Sequence, residues 1–351
     1  MRLFSTKLMI VIMLCYCVSL AGCSSLTAAR PSSVPQNSTP TPFLATSTPM
    51  PTFTPTLAPL GSEANPIVMA AVSAAPSADQ IAALESLANE LSNSLNLKVI
   101  GQTYPDYIAL ETALQKGQLH LAWLQPTEYL LASEKGLVTS QLVANHLGVT
   151  AYGIQFLGHK DANLTSYFDV GTHLSTATAA TALAQFSGMR PCLTSENSLA
   201  GYWLPMGYLV QNNIPTQPPV LTFSYSASLR ALYIKGVCDF TATYAISADP
   251  RSSSEVITDL QDVMDRLPII WMSPAVVPNL NFSVSPSIEF PIQIQISEFL
   301  RDYSRTDVGK KVLSDANQYE IAELEPLPDD AYADLRLLLE VQNVRLPSLV
   351  P

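Results

Sequence analysis

A cysteine thiol placed for acylation is the clearest chemistry in this chain. Leu20-Ala21-Gly22-Cys23 follows a charged segment with Arg2 and Lys7 and an apolar run from Leu8 to Val18. That run is too short to span a bilayer with such flanks, and a small-residue cleavage site ending in Cys is the pattern of a bacterial lipoprotein signal. Cys23 is expected to take a diacylglycerol, with cleavage before it and acyl chains such as palmitate holding the mature chain to a membrane outside the cytoplasm. Each buried acyl CH₂ contributes about 0.8 kcal/mol, so two or three chains anchor firmly. Catalytic arrangements do not follow. There is no Gly-x-Ser-x-Gly elbow, no phosphate-binding Gly-Lys loop and no His-Glu-x-x-His helix. His120, His146, His159 and His173 lack metal-ligand spacing, and His120, on a predicted core strand, reads as structural. Glu128 and Glu196 read as solvated carboxylates at a rim. No enzyme, cofactor or metal site is expected.

Charge and composition narrow the partners. The chain carries a formal −11, and loss of residues 1–22 removes Arg2 and Lys7 and no acid, leaving −13. That balance argues against nucleic acid. Residues 23–64 are rich in Pro, Ser and Thr, with Pro40, Pro42, Pro49, Pro51, Pro55 and Pro59 at short intervals. Such a segment buries too little apolar surface to offset its ordering entropy. Extended at about 3.1 Å per residue, it makes a tether of up to roughly 100 Å. Of five cysteines, Cys15 and Cys17 leave with the signal and Cys23 is acylated. Cys192 and Cys238 remain, either paired in an oxidising compartment or buried as free thiols.

From Asn65 the composition is that of a globular protein long enough for two lobes. Ile67–Val72 reads as a strand. Ser77 and Gln80 have capping-box spacing before a helix whose Ile81, Leu84, Leu87, Leu91 and Leu95 share a face. A short β segment at 98–101, a helix over 106–116 ending at Gly117, a strand over 119–124 and a helix over 127–135 ending at Gly136 complete a β-α-β-α-β-α series. The same grammar restarts after Tyr152: strand 190–194, helix 198–211, strand 220–223, helix 226–235, strand 239–244. Residues 268–272 read as a strand returning to the first lobe, and three helices near 288–303, 308–317 and 330–341 close the chain. The expected fold is α/β: two lobes, each a mostly parallel sheet flanked by helices, hinged at two crossings. Lobe 1 takes 65–155 plus 268–351 and lobe 2 takes 156–267. Ligands in such folds sit at the carboxyl ends of the strands.

Several segments carry a family resemblance. Asn65-Pro66-Ile67-Val68-Met69-Ala70-Ala71-Val72, Tyr104-Pro105-Asp106-Tyr107 and Gly117-Gln118-Leu119-His120-Leu121-Ala122-Trp123-Leu124-Gln125-Pro126-Thr127-Glu128-Tyr129 come in order. Ser195-Glu196-Asn197-Ser198-Leu199-Ala200-Gly201-Tyr202, Gly236-Val237-Cys238-Asp239-Phe240-Thr241-Ala242-Thr243-Tyr244 and Ser273-Pro274-Ala275-Val276-Val277-Pro278-Asn279 follow. Together they resemble the phosphate/phosphite/phosphonate ABC transporter solute-binding proteins, which have the type II periplasmic-binding-protein fold. The resemblance implies a monomeric protein that closes on a small solute and delivers it to an ABC permease and its ATPase. It places ligand contacts at Tyr107 and Tyr129. The family's Ser-Thr-Ser run at a helix amino terminus falls on Ser198, Leu199 and Ala200, so two of three hydroxyls are absent, while the helix N–H groups remain. Its Ser-His-Asp appears as Ser224, Tyr225 and Ser226, and the Gly before Pro126 is Gln125. A less charged or more apolar solute, held by Tyr107, Gln125, Tyr129, Ser198, Tyr225 and Tyr244, fits these changes better than a phosphorus dianion. The alternative reading is a ligand-sensing lipoprotein that uses the same clamshell to signal to a membrane partner.

Overall fold

The computed structural model describes residues 58–350. The signal segment, Cys23 and most of the expected tether lie outside the described residues. The fold starts ahead of Asn65. Gly61 donates its N–H to the Asn65 carbonyl at 2.8 Å, Lys98 donates to the Gly61 carbonyl at 2.6 Å, and Leu60 packs on the first core.

The first run is β1 (Ile67–Val72), α1 (Ala78–Leu95), β2 (Val99–Tyr104), α2 (Tyr107–Gln115), β3 (Leu121–Leu124), α3 (Pro126–Glu134) and β4 (Thr139–Asn145). Its helices start where a side chain takes a free N–H: Ser77 Oγ accepts from Gln80 at 3.1 Å and the Asp106 carboxylate from Ala109 at 2.7 Å. Gly117 and Gly136, each at φ +65°, turn the chain just past α2 and α3. The second run is β5 (Ala151–Gly158), the hairpin β6 (Phe168–Asp169) and β7 (Leu174–Ser175), α4 (Ala179–Leu183) and β8 (Pro191–Leu193). It continues with a π-helical turn (Leu199–Trp203), α5 (Leu204–Gln211), β9 (Val220–Leu221), α6 (Tyr225–Ile234), β10 (Phe240–Ala245), α7 (Ser254–Asp259), α8 (Val263–Arg266) and β11 (Ile269–Met272). The chain then runs through β12 (Val277–Pro278), β13 (Asn281–Val284), α9 (Phe290–Ser304), α10 (Asp307–Asn317), β14 (Glu323–Pro326) and α11 (Ala333–Glu340).

Two principal sheets result, in the orders β14-β4-β13-β3-β1-β2 and β11-β5-β10-β8-β9. In the first, β2, β1, β3 and β4 point one way and β13 and β14 the other; in the second, β5 alone opposes its neighbours. Most strands of each sheet share one direction, yet antiparallel pairings outnumber parallel ones five to four, because β5 and β13, which follow the crossings between sheets, insert against the rest. The returning strand is β13. Ile269–Met272, expected to return to the first lobe, pairs instead with β5 at the edge of the second sheet.

Alternation along β1 sorts its side chains to opposite faces. Ile67, Met69 and Ala71 join Leu84, Leu87 and Leu91 of α1 and Ile296, Leu300 and Leu313 of α9 and α10. Val68 and Ala70 face α2 and α3 in a larger cluster that continues into the second sheet through Phe156, Phe240 and Trp271. The far face of the second sheet packs Leu157 against Leu229, Leu232, Val256 and Val263. Cys192 and Cys238 are disulfide-bonded there, with Cα atoms 5.5 Å apart, so the pairing alternative holds. His120 is a core histidine: its Nδ1 accepts the Val68 N–H at 3.0 Å, and burial lowers its pKa.

Candidate ligand-binding cleft

Between the sheets, beside the crossing segments, the lining of a cavity of about 390 Å³ includes Tyr152, Ser198, Ala200, Tyr225, Tyr244 and Asn279, with Leu199, His146 and Tyr319 also on the wall. The second sheet supplies the centre. Ser198 caps the turn after β8, its Oγ accepting the Gly201 N–H at 3.0 Å. Pro205 has no N–H to continue the helical ladder, and the Gly201 carbonyl instead accepts from Thr194 at 3.1 Å. Gly201 is required at this approach, because a Cβ there would stand 2.0 Å from Thr194 Oγ1. The first turn keeps the N–H groups of Leu199 and Ala200 free of intrahelical acceptors, so they can face a ligand oxygen.

Tyr225 opens α6, capped by Ser224 Oγ accepting from Ala227 at 3.1 Å. Its hydroxyl lies 3.4 Å from Ser198 Oγ. Its ring meets Tyr244, at the end of β10, edge to face with centroids 4.9 Å apart. From the other side, the His146 ring meets Tyr319 at a tilt with centroids 4.5 Å apart, and its Nδ1 donates to the Glu320 carbonyl at 2.9 Å. Asn279 fixes the returning crossing by donating from Nδ2 to the Val149 carbonyl at 2.8 Å. Burial pushes the Tyr225 and Tyr319 hydroxyls up to about 12 and raises those of Tyr152 and Tyr244. All four phenols are therefore neutral hydrogen-bonding groups at neutral pH. Among the described residues, no Lys, Arg, Asp or Glu lines the cavity.

Five of the nine expected contacts, Ser198, Leu199, Ala200, Tyr225 and Tyr244, are thus brought together. The other four stand apart. Tyr107 is buried under α2 with its hydroxyl 3.4 Å from Glu111 Oε1. Tyr129 is buried under α3, donating to Asp329 Oδ1 at 2.6 Å and meeting the Tyr332 ring at a tilt with centroids 4.4 Å apart. Both rings serve the core because their hydroxyls find carboxylates at its edge. Gln125 is exposed at the start of α3, and Ser226 is turned outward to Glu255 Oε1 at 3.0 Å. Tyr152, His146, Asn279 and Tyr319 join the lining without a local sequence signal: Tyr152 lies near the start of β5, and the other three lie outside regular elements.

Glu128 is not a solvated rim acid. It is buried at the first turn of α3, where it accepts the Gln125 N–H at 2.7 Å, and burial raises its carboxyl from 4.5 to about 7. The folded state therefore binds a proton that the unfolded state has released between those values. This contribution is intact below about pH 4.5 and is lost as pH rises through about 7. Glu128→Gln keeps an acceptor without the charge. It is expected to raise stability at pH 8 by on the order of 3 kcal/mol, at 1.36 kcal/mol per pKa unit, and to leave stability near pH 4.5 unchanged. Urea denaturation at the two pH values measures it.

Two α/β lobes joined by paired crossings, with a neutral aromatic cleft beside them, define a solute-binding protein. Residues 69–332 match the family described as ABC transporter, phosphonate, periplasmic substrate-binding protein, and the chain belongs to that family. It is accordingly an extracytoplasmic binding component that presents a small molecule to an ABC permease and ATPase, and it is not an enzyme. Among solved structures it is similar to XAC2383 from Xanthomonas citri bound to ATP, with TM-score 0.56, 15% identity, and 79% of this chain and 97% of that chain covered. XAC2383 bound to chloride gives 0.55 at 15% identity, with the same 79% and 97% coverage. PhnD1 from Prochlorococcus marinus in complex with methylphosphonate gives 0.48 at 15% identity, covering 79% and 98%. At these identities the XAC2383 structures show the fold alone. A search of curated proteins finds no match. Among the described residues, no helix is long and apolar enough to cross a membrane and no group of three metal-ligating side chains occurs.

Proposed function

We propose that this protein is the lipid-anchored, monomeric solute receptor of an ABC importer whose ligand is neutral or weakly charged. The observation behind this reading is the cleft composition: hydroxyls, amides and the first helical turn at Leu199 and Ala200 line it, and among the described residues no Lys or Arg does. A phosphorus dianion stripped of water needs charge-assisted donors, each contributing about 1.5–3 kcal/mol. A solute with carbonyl or hydroxyl oxygens and an apolar flank matches the N–H groups of Leu199 and Ala200 and the rings of Tyr225 and Tyr244. Solute touching both lobes stabilises the closed arrangement by its higher affinity for that state, and the crossings at 146–150 and 273–280 absorb the rotation. The permease then reads closure.

The anchor is the second part of the proposal. Cys23→Ser is expected to leave the precursor uncleaved and to abolish incorporation of labelled palmitate. A mature-sized, palmitate-labelled protein from that variant would refute the assignment of Cys23. The binding reading itself is tested by the cleft substitutions below.

A further inference from the structure

A second cavity, about 750 Å³, shares no lining residue with the cleft and is nearly twice its size. Its floor is apolar and aromatic: Tyr208, Trp271, Val276 and Leu338 are all buried. Trp271 is held rigidly, its Nε1 donating to the Ala177 carbonyl at 3.1 Å and its ring meeting Tyr208 edge-on at 5.1 Å. The mouth is mixed, with Gln211 and Asp334 exposed beside the aliphatic Leu337. Among the described residues that line it, Asp334 is the one carboxylate and none is Lys or Arg.

A second observation points to the same place. Ile246 has φ +79°, a conformation in which a β-branched residue is a genuine outlier, and it is 42% exposed. It lines both this cavity and an adjoining one of about 630 Å³, together with His173 and Met272. Strained backbone that leaves an aliphatic side chain in solvent at the junction of two apolar hollows marks a ligand wall more readily than a folding device.

We propose that this cavity is a second ligand site, one that takes an amphipathic organic cation with its apolar body on Trp271 and Tyr208 and its ammonium group at Asp334. An aromatic floor below a single carboxylate attracts a cation by ring face and by charge, and repels the matching anion. The site also touches the moving parts. Ser273–Val276 belongs to the returning crossing, and Ser273 Oγ accepts the Ile154 N–H at 2.9 Å. The α11 wall is tied to the first sheet's side by Arg336, which bonds Asp329 at 2.6 Å and Ser133 at 3.3 Å. Occupancy there consequently biases lobe opening.

The test is a titration of the mature chain, following tryptophan fluorescence and melting temperature, with 4-phenylbutylamine, 4-phenylbutan-1-ol and 4-phenylbutyrate. These probes share one body and differ in head-group charge. Saturable binding in the order amine, alcohol, acid is expected, with the amine roughly three- to tenfold tighter than the acid at low salt. Asp334→Asn should bring amine and alcohol within twofold. Leu337→Arg, at an exposed mouth position, should weaken the amine at least tenfold, while Tyr225→Ala plus Tyr244→Ala in the cleft should leave it unchanged. Absence of saturable binding, equal affinity for amine and acid, or binding lost in the cleft variant and retained in Leu337→Arg would each overturn the proposal.

Discussion

Replacing Cys192 and Cys238 together by alanine is expected to lower stability by about 4 kcal/mol. The two residues are 46 positions apart, and closing a loop of that length removes roughly 4 kcal/mol of chain entropy from the unfolded state in the loop-entropy account. The bond also ties elements that are already neighbours: β8 and β10 pair in parallel, with Cys192 opposite Thr241. Cys192 is wholly buried beside Leu157, Leu229 and Leu232, so the loss falls on the core of the second sheet. Alanine avoids leaving a hydroxyl unpaired there. Urea titration of the variant measures the change directly, and wild type unfolded under reductant should approach the same midpoint. A midpoint unaffected by either treatment would show that the bond adds nothing to the folded state. Stabilisation of this kind suits an extracytoplasmic protein, where disulfides persist.

The largest functional effect belongs to the cleft. Tyr225→Ala with Tyr244→Ala is expected to weaken solute binding at least a hundredfold, about 2.7 kcal/mol. The two rings form one perpendicular wall and Tyr225 reaches Ser198 Oγ at 3.4 Å, so the pair supplies both the apolar contact and a directed hydroxyl. Tyr225→Phe removes the hydroxyl alone and should lose about tenfold, the loss of one hydrogen bond at the upper end of its usual range. Tyr225 and Tyr244 are both only partly buried, so the double variant should stay folded. Calorimetric titration with the ligand identified below separates these outcomes. Wild-type affinity in the double variant would remove the cleft from the account.

Much of the first lobe was legible because local signals agree with one another. Ser77 and Gln80, Gly117 and Gly136 mark helix ends, and the apolar runs between them have the right periods. The missing strands fail for a physical reason. β13 lies at the centre of its sheet, yet it contains Asn281 and Ser283, both wholly buried. Asn281 Nδ2 donates to Tyr332 Oη at 2.6 Å and Ser283 Oγ donates to Asn281 Oδ1 at 2.7 Å, so polar residues occupy core positions through partners that sequence does not place. Tyr129 illustrates the same limit. Its partner Asp329 is 200 residues away, and without that contact a tyrosine at a helix start looks equally suited to a cleft. The cleft residues that were legible, Ser198 to Ala200, Tyr225 and Tyr244, follow β8, open α6 and end β10. They obey the rule that ligands gather at carboxyl ends of strands. Tyr152, Asn279 and Tyr319 obey no local rule: they come from the start of β5, the returning crossing and the turn after α10, which only the packing of the two sheets brings together.

The central claim is that the chain binds a solute of low charge between its lobes. A thermal-shift titration of the mature protein against phosphate, phosphite, alkylphosphonates, sulfonates, amino acids, polyamines and vitamin-like solutes tests it most directly. A ligand at a hundred times its dissociation constant adds about 2.7 kcal/mol of stability, which shifts the transition clearly. The account predicts a saturable shift with a neutral or zwitterionic solute, absent from the Tyr225→Ala, Tyr244→Ala variant. A shift confined to phosphate or phosphonates would contradict it, as would one that survives in that variant.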